Sequence, residues 1–319
     1  MSTISDPIGA WLASCPDPAD YAAIARIEAA LVERTGLLGM ASVWGGRHLI
    51  GRHFLSFGTE AQRAAWLGRA LAVAISEPKV GAHPKLLTTQ AEAVEGGFRI
   101  TGRKAWVTNG PLAEAIIVFA ITGQEAGRKR YSAFIVPRET PGLTIEAMPD
   151  FHALRPSQHC LLTLDACLVP ATALLGPPGS AYDRMALPFR DIEDAAGTFA
   201  TLGALRHAIG LLAAAETVAT ADLGAVAALT AVFAAGAESV VASLDAGQLK
   251  TGDATLVGLR VLALDIVSRL RAAAGASAAG RLGESLADLD AILAIASGPR
   301  LARQTHLGEA ARRAAKPAP

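Results

Sequence analysis

Residues 73–110 read VAISEPKVGAHPKLLTTQAEAVEGGFRITGRKAWVTNG, and the fold turns on how this stretch is read. A short apolar run from Leu71 to Ile75 breaks at Ser76-Glu77-Pro78 into a loop carrying Gly81 and Pro84. Alternating residues then resume on both sides of Gly96-Gly97. The pattern predicts strand, loop, hairpin and strand. Side chains along a strand alternate between faces, so Trp106 and Thr108 at its end are expected to share one face. An aromatic wall beside a hydroxyl suits a planar heteroaromatic ligand; taken alone, such a hairpin is more often plain sheet core.

Working outward, short strands are predicted at Leu71–Ile75, Gln90–Val94, Phe98–Val107, Ala115–Ile121, Ser132–Val136, Leu143–Glu146 and Leu161–Leu164. The turn residues between them argue for an antiparallel barrel or sandwich. QEAGRKR, residues 124–130, reads as a polar hairpin tip, its basic run either a solvated turn or a steering patch for phosphate. From Asp17 to Ala70 apolar residues recur at helical spacing, with Gly36 as a stop and Thr59 as the N-cap of a helix running to Trp66. Beyond Pro177-Pro178-Gly179 the chain reads as helices at Ala181–Ala219, Leu223–Ala246, Ala254–Ala273, Ala279–Ile295 and Pro299–Ala314. Breaks fall at Asp222, residues 247–252 and Gly275, and Pro188 is expected to kink or split the first helix. Short links between such helices predict an up-and-down bundle. Three segments follow: a short helical one over 1–70, a β one over 71–176 and a helical one over 177–319.

Composition narrows the function classes. The 319 residues carry 29 basic and 29 acidic side chains, so nothing in the charge points to nucleic acid or an anionic membrane. A hydrophobic share of 51% with only 5% aromatic comes mainly from alanine and leucine and favours close-packed helices. Three cysteines without metal spacing are simplest in a reducing compartment. The N-terminal MSTISDPIGAWLAS has no basic segment ahead of an apolar core, and the longest uncharged stretch, Leu223 to Ala237, is short for a bilayer. A soluble, cytoplasmic protein is expected.

The order Ala-Ile-Ser-Glu-Pro (74–78), a Gly-bearing loop, Thr89-x-Ala91 and Gly102-x-Lys104-x-Trp106-Val107-Thr108-Asn109-Gly110 resembles the flavin-binding middle domain of the acyl-CoA dehydrogenase family. The likeness continues through Phe134-Ile135-Val136-Pro137, Thr140-Pro141-Gly142-Leu143, Leu164-Asp165, Val169-Pro170 and Leu174-Leu175-Gly176. It implies an α+β multidomain fold: a helical N-terminal domain, a β middle domain and a C-terminal helical bundle. It also implies FAD as cofactor, an acyl-CoA or similar thioester as substrate, and α,β-dehydrogenation as the reaction. The implied partners are an electron-transfer flavoprotein and further copies of the chain in a dimer or tetramer. By the family's measure the N-terminal helical segment is short by roughly fifty residues, about two helices' worth at typical lengths, and those helices would form part of the acyl pocket.

The resemblance also assigns residues. Ile75 and Ser76 would bond the flavin pyrimidine edge, Trp106 would pack against the isoalloxazine, and Thr108 would bond near N5. Fixed donors there would raise the potential of a flavin that gains negative charge on accepting hydride. Where the family usually has Gly-Ser-Asp for the pyrophosphate, this chain has Gly81-Ala82-His83. The hydroxyl is missing, while the Gly81 amide can still donate and His83 is either a substitute donor or a surface residue. Removal of an acidic α-proton calls for a positioned carboxylate. The family's usual Tyr-Glu-Gly-Thr-like loop near the C-terminus is absent, and Glu309 is the only acid there. A minority of the family carries the base on the first helix of the C-terminal domain, which points to Glu193, with Asp191 as competitor. Asp191, Glu193 and Asp194 can also be read as a solvated face or cap. The family's bundle motifs for adenine and pyrophosphate have no counterpart; Arg260, Arg269 and Arg281 are substitutes or simple partners of acids such as Asp265 and Glu284. Two other readings of the chain remain open: a flavin monooxygenase or nitroalkane-oxidase-like member, and a flavin-free scaffold or acyl-CoA-binding protein.

Overall fold

A computed structural model describes residues 6–148, 151–215, 218–275 and 279–315. Four helices come first: α1 (Asp6–Ser14), α2 (Tyr21–Thr35), α3 (Gly39–Phe54) and α4 (Glu60–Trp66). Gly36 ends α2 in a left-handed cap, and Thr59 opens α4 with a full capping box to Gln62. Eight strands follow: β1 (Leu71–Ala74), β2 (Gln90–Val94), β3 (Gly97–Thr108), β4 (Ala115–Glu125), β5 (Arg128–Pro137), β6 (Leu143–Ala147), β7 (His159–Pro170) and β8 (Leu174–Leu175). The chain closes with α5 (Leu187–Ala215), α6 (Thr220–Asp245), α7 (Ala254–Ala274), α8 (Gly280–Ala294) and α9 (Ser297–Ala314).

The strands form one mixed sheet in the order β6-β7-β3-β2-β4-β5-β8, and β1 adds to β4. The expected all-antiparallel arrangement is corrected at two joints: β1 and β2 both pair with β4 in parallel. Each reaches β4 through a long connection rather than a tight hairpin, and such connections permit parallel pairing. The apolar run of β4 is explained by burial on both faces. Ala115, Ile117 and Phe119 pack toward α3 and the start of α5, while Ile116, Val118 and Ala120 pack with β3 and β7.

The helices before and after the sheet share a single core, in which Ala25, Ala29 and Val32 of α2 lie with α5, α6, α7 and α8. Close approach is needed at Gly203, where a Cβ would fall 2.3 Å from the Ala29 carbonyl oxygen. Pro188 does not split the helix: α5 runs through it, and a π segment precedes it. Residues Tyr182–Ala186 widen the turn just ahead of a residue that has no N–H to give to Arg184. The break predicted at Asp222 falls a few residues earlier, since α5 ends at Ala215 and α6 starts at Thr220 with Asp222 in its first turn. The uncharged stretch is therefore part of a longer element, and by length and composition the helices over Tyr182–Ala215 and Thr220–Asp245 could each cross a membrane. In this fold both lie in the bundle, α5 through its core and α6 with the stripe Val226, Thr230, Phe233, Ala237, Val240 and Val241 buried.

Candidate functional site

The organising contact lies under the loop that leaves β1. Glu77 turns inward and accepts from both amides and both hydroxyls of Thr88 and Thr89, at 2.6 to 2.9 Å. The Lys104 ammonium donates to Glu77 Oε1 and to the Ile75 carbonyl, each at 3.1 Å. Burial would push the Glu77 carboxyl up, but the Lys104 charge and the threonine hydrogen bonds outweigh it and hold it at about 2. Loop and strand are thereby clamped, and the Ala105 amide donates to the Ser76 carbonyl at 2.9 Å. Ser76 is left with its own amide and hydroxyl uncommitted to any described group.

The end of β3 is not the regular strand that sequence alternation predicts. The register with β7 shifts between Lys104 and Val107, and Trp106 sits at φ 58°. This bulge buries Lys104 and Ala105 in succession and turns the Trp106 ring outward, 49% exposed. Phe151 and His159 meet its edge at centroid distances of 5.6 and 6.1 Å. Thr108 Oγ1 and His159 Nε2 lie 3.2 Å apart, and burial lowers the His159 pKa, keeping the ring neutral. Asn109, also left-handed, donates from its side chain to the Ser42 carbonyl of α3 and ties this end of β3 to the helices. Ile75, Ser76, Trp106 and Thr108 are thus brought together. His159 and Phe151 are the neighbours that sequence reasoning missed.

One expectation for the phosphate loop changes. Gly81 has the left-handed φ of 59° that glycine favours, but its amide donates to the Glu77 carbonyl and is not free for a ligand. Ala82 is exposed, its carbonyl accepts from the Tyr182 hydroxyl at 2.7 Å, and its amide is uncommitted.

On α5 the three neighbouring acids separate, correcting the picture of one solvated face. Asp191 is buried, accepting from Thr251 Oγ1 at 2.5 Å and from Arg303 at 3.1 Å. Asp194 accepts from Arg300 at 3.2 Å and Arg303 at 2.6 Å. Helix α9, which buries no residue of its own, is held to α5 by these pairs. Asp191 is therefore a structural anchor and not a free base. Glu193 makes no ion pair among the described residues and reaches solvent. The protein around it and, next, Asp194 raise its carboxyl pKa, with Arg300 opposing. Water still reaches the group and screens those charges. Of the bundle arginines, Arg269 pairs with Asp265 at 3.0 Å, the simple outcome.

The profile of the acyl-CoA dehydrogenase middle domain matches residues 72–167. The mitochondrial 2-methylacyl-CoA dehydrogenase of Solanum tuberosum is 36% identical over 128 residues, 38% of this chain and 31% of that protein. The chain carries an acyl-CoA dehydrogenase middle domain over residues 72–167. Its detectable sequence match thus spans about a third of that curated relative. Fold likeness reaches further than sequence. Butyryl-CoA dehydrogenase of Megasphaera elsdenii superposes with a TM-score of 0.79 at 20% identity, covering 92% of this chain and 82% of that one. A glutaryl-CoA dehydrogenase of Mycobacterium smegmatis, solved in complex with FADH2, gives 0.73 at 20% identity, covering 87% and 76%. Around this acyl-CoA dehydrogenase sheet, the clamp of Glu77 and Lys104 and the outward Trp106 lie inside the matched residues, whereas Glu193 lies beyond them.

Proposed function

We propose that the chain is a flavin-dependent oxidoreductase that dehydrogenates an acyl thioester between its α and β carbons. The observation that carries this reading is the face made by Ser76, Trp106 and Thr108. It combines an outward indole held by a backbone bulge, an uncommitted amide and hydroxyl at Ser76, and a hydroxyl backed by a neutral His159. These groups fit an isoalloxazine: a flat apolar surface beside donors for its polar edge. FAD bound there would supply the acceptor for the hydride leaving the β-carbon. Ser76 and Thr108 would hold the ring's polar edge, and Trp106 would cover the ring and exclude water. Glu193 would take the α-proton on its carboxylate, a role suited to an acid with a raised pKa and no salt-bridge partner among the described residues. Assembly into a homo-oligomer and delivery of electrons to an electron-transfer flavoprotein belong to the same proposal.

The flavin-free reading has one observation on its side: the Gly81 amide is already spent on Glu77. One experiment separates the two. Visible absorption of the freshly purified protein is recorded without oxygen, before and after a panel of acyl-CoAs. Flavin bands that bleach with a thioester support the dehydrogenase, whereas a colourless protein that takes up no added FAD overturns it. Bands that persist with every thioester and vanish only with another reductant would move the reading toward the monooxygenase class.

A further inference from the structure

We infer that Arg190 is a diphosphate-binding residue, acting with the backbone amides of Ala82 and His83. Arg190 lies in the first turns of α5 and forms no ion pair among the described residues, while its Nε is buried without an acceptor. A guanidinium in that state is costly, since a buried donor left unmade forfeits its desolvation energy. Two of the three acids that follow it on α5 are taken, Asp191 by Arg303 and Thr251 and Asp194 by Arg300 and Arg303, and the third, Glu193, forms no ion pair with it among the described residues. Helix α9 thus takes up two of the neighbouring carboxylates and leaves the Arg190 guanidinium without a charged partner among the described residues.

The direction of that cation follows from the π segment. Tyr182 and Arg190 are eight residues apart, and the widened turn over Tyr182–Ala186 makes that close to two whole turns, so both fall on one face. Helical side chains lean toward the N-terminus, which sends the Arg190 stem back toward Tyr182. Burial raises the Tyr182 pKa and the Arg190 charge opposes it, in keeping with that proximity. The Tyr182 hydroxyl in turn holds the Ala82 carbonyl at 2.7 Å. Beyond that carbonyl, the Ala82 and His83 amides follow the left-handed Gly81 and donate to no described group. Successive free amides after a left-handed residue form an anion-binding concavity, and a planar guanidinium beside it matches phosphate oxygens two at a time. The loop lacks a side-chain hydroxyl between Gly81 and Pro84, so the charge from α5 fills that role.

Naming the diphosphate as that of FAD or of coenzyme A rests on the function proposed above; its binding by Arg190 does not. Titration calorimetry of the full chain with inorganic pyrophosphate, FAD, riboflavin and coenzyme A tests both, using wild type, R190Q and R190K. R190Q is expected to weaken pyrophosphate binding about ten-fold or more, the worth of a charge-assisted hydrogen bond. R190K keeps the charge and the stem but loses the fork, and should weaken it several-fold. Loss for FAD with riboflavin unchanged assigns the site to the flavin dinucleotide, and loss for coenzyme A assigns it to the thioester. If the protein takes no flavin yet binds pyrophosphate through Arg190, the flavin reading falls and this site stands. Equal affinity of all three proteins for every diphosphate, or no diphosphate binding by wild type, overturns it.

Discussion

Lys104 Nζ lies 3.1 Å from Glu77 Oε1, and the two side chains are 0% and 4% exposed. A buried pair of this kind is a weak source of net stability, but breaking it is expensive because one charge is left alone. Here the pair also has a placing role, since Lys104 holds the Ile75 carbonyl and so seats Ser76 beside the strand that carries Trp106. Lys104→Met is expected to cost about 3–5 kcal/mol in urea denaturation. The double variant Glu77→Gln with Lys104→Met should recover part of that loss, and equal losses in both would contradict the pairing argument.

The same pair sets an acid limit. The Glu77 carboxyl falls from an ordinary 4.5 to about 2 in the fold, so its stabilisation is complete above 4.5 and is lost as pH falls from there toward 2. In Glu77→Gln the gap in stability from wild type should therefore shrink as pH drops from 5 to 3. A gap that stays constant over that range would show that the charge is not what the threonines and Lys104 read.

Glu28 presents the opposite case. It is 3% exposed on α2, and its carboxyl lies against α3 where a Cβ at Gly45 would fall 1.5 Å from Oε1. No described group hydrogen-bonds it, and burial raises its pKa from 4.5 to about 8. The folded state then holds a proton that the unfolded chain has released, so stability is fullest below 4.5 and declines as pH rises toward 8. The slope contributed by one such proton is about 1.4 kcal/mol per pH unit. Glu28→Gln should match wild type in melting temperature near pH 5 and exceed it near pH 8. Parallel curves would mean that the carboxyl is ionised in the fold.

For the chemistry, Glu193→Gln removes the proposed base and keeps its shape. Bleaching of bound flavin by the active thioester should slow by about 10²–10⁴-fold, the usual range for a general base, with the resting spectrum intact. Asp191→Asn serves as the contrast, because it loosens α9 by weakening the Arg303 contact and should lower thermal stability while leaving bleaching in place. Unchanged bleaching in Glu193→Gln would remove that residue from the mechanism.

Much of the fold was legible because its signals are local. Gln90–Val94 is a strand at the predicted bounds, Gly36 and Thr59 cap helices where expected, and the unbroken apolar run of β4 follows from two buried faces. The site was legible only as a set of positions. Whether Asp191, Glu193 or Asp194 stands free depends on arginines more than a hundred residues away on α9, which no spacing on α5 reveals. The Gly81 amide escapes sequence reading for a related reason: a five-residue bridge closes back on Glu77, whose side chain is buried against Lys104. His159 gave no signal at all, since its meaning lies in facing Thr108 across two strands.

Trp106 tests the flavin reading and the bulge together. At φ 58° any side chain with a Cβ pays a backbone penalty of about 1 kcal/mol that glycine avoids. Trp106→Ala and Trp106→Gly both remove the indole, so both should loosen FAD to the same degree and shift its visible bands. Their stabilities should differ, with Trp106→Gly above Trp106→Ala by about 1 kcal/mol. The comparison separates the ring from the backbone that aims it. Equal FAD affinity in wild type and both variants would contradict packing of the indole on the flavin. A Trp106→Ala protein as stable as Trp106→Gly would contradict the left-handed bulge instead, and the outward aim of the ring would need another cause.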